Sequence, residues 1–179
     1  KGIYYIPRII KASKLGDAAI LKEIIKILNE NKIRVIKSNF FNPELTLSKG
    51  NYTKLKPTKL NLENIRIGIS SLKKINSYNH VQGLIIRNKK IIVWETKKGT
   101  KRMIQSIKKD KKHSGILIKF PKKKQDIRAD LPTIGLETLK DCSKSGVNGI
   151  VLKSKQNIFL DRNKSINYAN KKKIFIKVV

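Results

Sequence analysis

Short, β-branched apolar runs alternate with amphipathic helical segments along most of this 179-residue sequence, and that order restricts the chain to layered α/β architectures. Residues 17–32 place Leu21, Ile24, Ile25 and Leu28 at the spacing of one helical face, with Asp17 positioned to cap the first turn. Residues 33–37 read as a strand. Residues 38–60, carrying Pro43, Gly50 and Pro57, read as a long connection of the kind that carries function or covers a site. Ile65, Ile69, Leu72 and Ile75 trace a second helical face, and residues 81–87 and 90–95 flank Asn88-Lys89 as a β-hairpin. Residues 99–111 predict a helix with Met103, Ile104 and Ile107 inward. Residues 115–120 predict a buried strand, and residues 134–145 a helix closed by Gly146. Strands over 149–153 and 157–160, a helix capped by Asp161 and a strand over 174–179 continue the alternation. The expected fold class is α/β, a mixed sheet with flanking helices and at least one antiparallel hairpin. No internal repeat or heptad pattern is present.

Composition narrows function less than fold. Hydrophobic residues make up 39% of the chain, enough for a core, and the formal charge of +30 implies an anionic partner. Arginine occurs at only seven positions, so lysine supplies most of the basic charge, and aromatics are 6%. Nucleic-acid readers draw on arginine forks and aromatic platforms, so this make-up argues against nucleic acid as the main partner. The single cysteine, Cys142, excludes an internal disulfide and a multi-cysteine zinc site, and fits a cytoplasmic setting. No apolar run approaches the ~20 residues that span a bilayer.

Chemistry concentrates after the 115–120 strand, where α/β sheets often bind ligands. If residues 125–130 are extended, Asp126, Arg128 and Asp130 project to one side; a helix would align the two aspartates and turn Arg128 away. Two carboxylates ~4 Å apart repel by ~4 kcal/mol at an effective dielectric near 20, which a divalent metal would relieve. Lys119, Arg128 and Lys122 to Lys124 could then hold phosphate oxygens, and Thr133 could cap the next helix, presenting the amides of Ile134 to Leu136 to an anion. Spacing leaves a second reading open, in which Asp126 and Asp130 form surface ion pairs with the abundant lysines. His80 and His113 stand beside separate turns and form no triad, Cys142 fits a buried helix face, and Trp94 fits packing with Glu95 beside it. The lysines at 171–173 fit a solvated helix terminus.

The stretch Gln125-Asp126-Ile127-Arg128-Ala129-Asp130-Leu131-Pro132-Thr133-Ile134-Gly135 resembles the QDxRxDLPTIG signature of the LpxI family, UDP-2,3-diacylglucosamine pyrophosphatases of lipid A biosynthesis. Leu15-Gly16-Asp17-Ala18-Ala19-Ile20-Leu21 resembles the family's GDDALL helix start, and Glu95 with Gly99-Thr100 its VEAxEGTD stretch. Gly146-Val147-Asn148-Gly149-Ile150 resembles GLAGIAV, and Leu160-Asp161-Arg162 resembles LDRE. Lys98 and Lys101 stand where the family carries acids, and Lys123-Lys124 where it carries Pro-Gly.

The resemblance implies hydrolysis of UDP-2,3-diacylglucosamine to UMP and 2,3-diacylglucosamine 1-phosphate, lipid X, by water attack on the β-phosphorus. It implies Mg²⁺, with Mn²⁺ as the alternative, held by Asp126, Asp130 and Glu95. Catalysis falls to Asp126, Asp130 and Arg128, and substrate binding to Lys119, Gln125, Thr100, Gly99, Thr133 and Gly135. It places the protein in the cytoplasm, peripheral on the inner-membrane surface, with UDP-2,3-diacylglucosamine and lipid X as partners, and leaves a homo-oligomer open. Residues 1–15 read as a linker from an N-terminal domain missing here, and residues 16–179 as the C-terminal catalytic domain. A basic nucleic-acid-binding domain and an inactive UDP-lipid-binding remnant are the alternatives.

Overall fold

The computed structural model describes residues 2–75, 81–110, 112–122 and 126–179. Helices α1 (Ile6–Ser13) and α2 (Asp17–Glu30) precede strand β1 (Gly50–Asn51), helix α3 (Lys59–Lys74) and the hairpin β2 (Gly83–Arg87) and β3 (Lys90–Trp94). Helix α4 (Gly99–Gln105), strand β4 (Gly115–Lys119), strand β5 (Thr133–Ile134), helix α5 (Leu136–Lys144) and strand β6 (Val147–Leu152) follow. Strand β7 (Ile158–Phe159), helix α6 (Arg162–Lys171) and strand β8 (Phe175–Val178) complete the order.

The main sheet has six strands in the order β1-β8-β6-β4-β2-β3. Its centre, β4-β6-β8, is parallel, while β2 runs antiparallel to both β3 and β4, and β1 antiparallel to β8. The expected mixed sheet with an antiparallel hairpin is therefore observed. Asn88 and Lys89 both take positive φ, 45° and 63°, the geometry of a tight hairpin turn whose twist matches the strands. The Asn64 amide oxygen of α3 accepts from the Lys89 amide at 2.6 Å and fixes that turn.

Alternation along each strand sorts the core into two layers. Leu84, Ile86, Ile116, Ile118, Val151 and Phe175 pack with Ile65 of α3 on one face. Ile85, Leu117, Ile150 and Ile176 pack on the other with Met103 and Ile104 of α4, Leu139 and Cys142 of α5, and Ala169 of α6. Strand β4 is buried throughout because it lies at the centre and is covered on both faces.

Several local expectations are corrected. Residues 33–37 form no strand: Ile33 is exposed and the segment has no strand partner, so β-branched composition alone does not organise it. Helix α4 stops at Gln105 instead of continuing to 111, where the Ser106 hydroxyl donates back to the Met103 carbonyl. Asp17 is the first helical residue of α2, with Gly16 at the cap position, so its charge meets the helix dipole without a capping bond. Asp161 occupies the cap position of α6 in a left-handed conformation, φ 48°, and likewise makes no side-chain cap. Helix α5 begins at Leu136, two residues later than expected, because residues 133–134 are drawn into pairing with β7.

The segment read as a linker is helical in its described part. Helix α1 packs on α2, and Arg8 bridges to Glu23 at 2.7 Å and Glu30 at 2.6 Å. The long connection before α3 straps the β8 edge: the Thr53 hydroxyl accepts from the Ile176 amide at 2.9 Å, and Lys54 donates to Asn170 at 2.8 Å. It thus lies along the edge opposite β3. Among the described residues no helix is long and apolar enough to cross a membrane.

Candidate active site

Strands β3 and β4 run in the same direction with β2 between them, so their carboxyl ends bring Glu95 and Lys119 to one end of the sheet. Both side chains are buried, at 5% and 4% exposure for the two residues. Lys119 Nζ donates to Glu95 Oε1 at 3.0 Å and Oε2 at 3.3 Å, and to the Thr100 hydroxyl at 2.5 Å. The Thr100 hydroxyl in turn donates to Glu95 Oε1 at 2.5 Å. Burying an unpaired charge would be costly, and this three-membered arrangement pairs the ammonium with the carboxylate and supplies bonds to both carboxylate oxygens. Gly99 supplies the turn into α4 with φ +80°, a left-handed conformation that glycine adopts without penalty.

The chain leaving β4 is pinned at Phe120, whose amide donates to the Gln82 carbonyl at 2.8 Å. Residues 126–130 close into a single turn, with the Asp130 amide donating to the Asp126 carbonyl at 3.1 Å. A helical turn therefore replaces the extended alternative, and the i to i+4 spacing places the two aspartates on one side. Arg128 is nonetheless not turned away: its long side chain folds back on Asp126, donating from Nε at 3.0 Å and from NH2 at 2.7 Å, while its amide donates to Oδ1 at 3.0 Å. Arg128 holds the Asp126 carboxyl below its ordinary range, chiefly through these side-chain bonds, and the Lys22 ammonium of α2 adds a smaller push in the same direction. The half-buried Asp130 carboxylate has no hydrogen-bond or ion-pair partner among the described residues.

Residues 48–177 match the LpxI C-terminal domain family. The chain belongs to the LpxI C-terminal domain family. A curated relative, the UDP-2,3-diacylglucosamine pyrophosphatase LpxI of Caulobacter vibrioides, is 24% identical over 184 residues, covering 98% of this chain. The chain spans 66% of that relative's length.

Within this LpxI domain the structure joins Glu95, Thr100 and Lys119 in one cluster and Asp126, Arg128 and Asp130 in one turn. Gln125, Lys123, Lys124 and His80 lie outside the described residues. Thr133 is not a helix cap: it sits exposed in β5, its hydroxyl donating to the Leu131 carbonyl, and Ile134 is a strand residue, so the expected anion site of amides 134–136 is not formed. Gly135 takes the cap position of α5, where a Cβ would meet Leu160 Cβ at 3.2 Å. His113 is exposed, its amide donating to the Asp110 carboxylate at 3.1 Å. Cys142 is fully buried, which pushes its thiol pKa up and leaves it inert. Lys97, Lys98 and Arg102 rim a groove of about 410 Å³ between β3 and α4, floored by Val93 and Met103.

Among the described residues Glu95, Asp126 and Asp130, the metal ligands expected from sequence, are not gathered into one group. Among the described residues no three His, Cys, Asp or Glu side chains gather closely enough to hold a metal ion. Glu95 is engaged by Lys119 and Asp126 by Arg128, so as folded the set of Glu95, Asp126 and Asp130 does not fit a divalent cation.

Sequence reasoning missed Asn157. This residue is 2% exposed; its Nδ2 donates to the Lys119 carbonyl at 3.0 Å and the Pro132 carbonyl at 3.5 Å, and its Oδ1 accepts from the Lys153 amide at 2.8 Å. The signal was a short amide side chain opening an apolar strand, where an unsatisfied polar group would be costly.

Proposed function

We propose that this chain is the phosphate-handling part of a pyrophosphatase that hydrolyses UDP-2,3-diacylglucosamine to UMP and 2,3-diacylglucosamine 1-phosphate. The observation that carries the reading is the family match over residues 48–177 combined with an Asp130 carboxylate that has no partner among the described residues, one turn from the Asp126-Arg128 pair. The name of the Caulobacter vibrioides relative supplies the substrate and reaction.

In this reading Asp130 accepts a proton from water as the water oxygen bonds to the β-phosphorus. The bond from that phosphorus to the bridging oxygen breaks, and UMP departs with the bridging oxygen. Arg128 is more than a third exposed at its side chain, 37%, and can offer guanidinium donors to a phosphate while remaining paired with Asp126. Lys119 is turned inward on Glu95 and Thr100, so its charge shapes the floor of the site and fixes the end of β4. A diacyl substrate places the protein at the periphery of a membrane surface, where its +30 charge favours anionic headgroups.

The test is UMP release from UDP-2,3-diacylglucosamine by the natural full-length protein, with Mg²⁺, with Mn²⁺ and with a chelator. Asp130→Asn is expected to lower kcat by 10²-fold or more, on the order of the loss for a general base, with the fold retained. Absence of UMP release under all three conditions overturns the reading, and salt-sensitive binding of generic RNA in its place favours the nucleic-acid alternative.

A further inference from the structure

We propose that Asn157 is a positioning residue that closes the Asp126–Asp130 turn's loop at both ends and so fixes the two aspartates against the carboxyl end of β4. Lys119 is the last residue of β4, and Pro132 leads directly into β5. One side-chain amide bonds the carbonyls of both, at 3.0 and 3.5 Å, spanning the entry and the exit of the loop. Its oxygen is committed to the Lys153 amide just beyond β6, at 2.8 Å, so the amide cannot rotate without breaking all three contacts.

The pair of Asp126 with Arg128 and the bond from Asp130 to Asp126 hold the turn to itself, and neither reaches the sheet. The position of the turn relative to Lys119 and Glu95 depends on where the ends of its loop meet the sheet. Neighbouring contacts reinforce each end: Phe120 bonds Gln82, and the Ile158 amide donates to the Pro132 carbonyl at 3.0 Å. Asn157 joins the two ends to each other. Small displacements of a reacting group are expensive in rate, so such a residue acts on turnover without touching substrate.

Asn157→Asp is the discriminating variant because it keeps the shape and the acceptor for the Lys153 amide. The introduced carboxyl, raised in pKa by burial, donates one bond while protonated and turns oxygen toward two carbonyls once ionised. Hydrogen exchange of the full-length protein should show protection at residues 126–131 falling about ten-fold as pH rises through that ionisation, with β6 and β8 amides little changed. Wild type should show no such step. Asn157→Ser, which retains one donor, should give an intermediate loss at every pH and serves if the first variant does not fold.

The catalytic arm rests on the pyrophosphatase reading: kcat for UMP release should fall in parallel with loop protection, with KM within about three-fold. Unchanged protection in either folded variant overturns the clamp. A loosened loop with wild-type kcat overturns the positioning role. If the wild-type protein releases no UMP, the pyrophosphatase reading fails by itself, while the exchange measurement still decides whether Asn157 holds the loop.

Discussion

Asp126 and Asp130 are alike in sequence and unlike in the folded chain. Asp126 accepts three donors of Arg128, whereas Asp130 meets no partner among the described residues. Because the folded pKa of Asp126 is depressed, the stability contributed by its pairing is present above the ordinary carboxylate pKa of about 3.9 and is lost as pH falls through the lower folded value. A carboxyl NMR titration should therefore find the Asp126 midpoint below the ordinary carboxylate range, and Arg128→Ala should move it upward toward that range. An unmoved midpoint in that variant would show that the guanidinium is not the cause. Sequence made the two aspartates and the arginine visible as a group, but could not say which carboxylate the guanidinium would occupy. That choice follows from the turn at residues 126–130, in which the Arg128 amide and guanidinium both reach the Asp126 carboxylate. Asn157 was illegible for a different reason, since two of its three partners, Lys119 and Pro132, lie 38 and 25 residues before it in the chain.

At the scale of elements, close approach explains a glycine that periodicity leaves unexplained. Gly149 of β6 lies opposite Phe175 of β8, and a Cβ there would meet Phe175 Cζ at 2.1 Å. Gly149→Ala is expected to destabilise the domain by about 1–3 kcal/mol through overpacking, read as a lower denaturant midpoint with an unchanged slope. A midpoint equal to wild type would mean that the β8 ring moves without cost. The hairpin β2-β3 and the buried β4 were legible because their local signals, turn residues and unbroken apolar runs, agree with their tertiary roles. The supposed strand at 33–37 carried a local signal with no sheet edge to receive it, and the extent of α4 was cut by side chains that compete for backbone groups.

For the whole molecule, α1 and α2 pack principally on each other, whereas the six-stranded sheet is complete from β1 onward. Removing the chain through Asn31 should leave a cooperatively melting α/β domain with its sheet signature in far-UV circular dichroism. A chain that no longer melts cooperatively would show the helical pair to be integral. The α/β class was legible because alternation of element types is a global property, readable without any contact. Which segments would line each edge was not, because edges are chosen by pairing between distant residues.

The pairing of β1 with β8 has a kinetic consequence. Gly50 meets Val178 across most of the length of the chain, so forming that edge requires closing a very long loop before any bond repays the lost entropy. The antiparallel β2-β3 and β2-β4 pairings close far shorter loops. Refolding should thus organise the end of the sheet that carries Glu95 and Lys119 before its far edge is sealed, leaving the slowest assembly step remote from the chemistry.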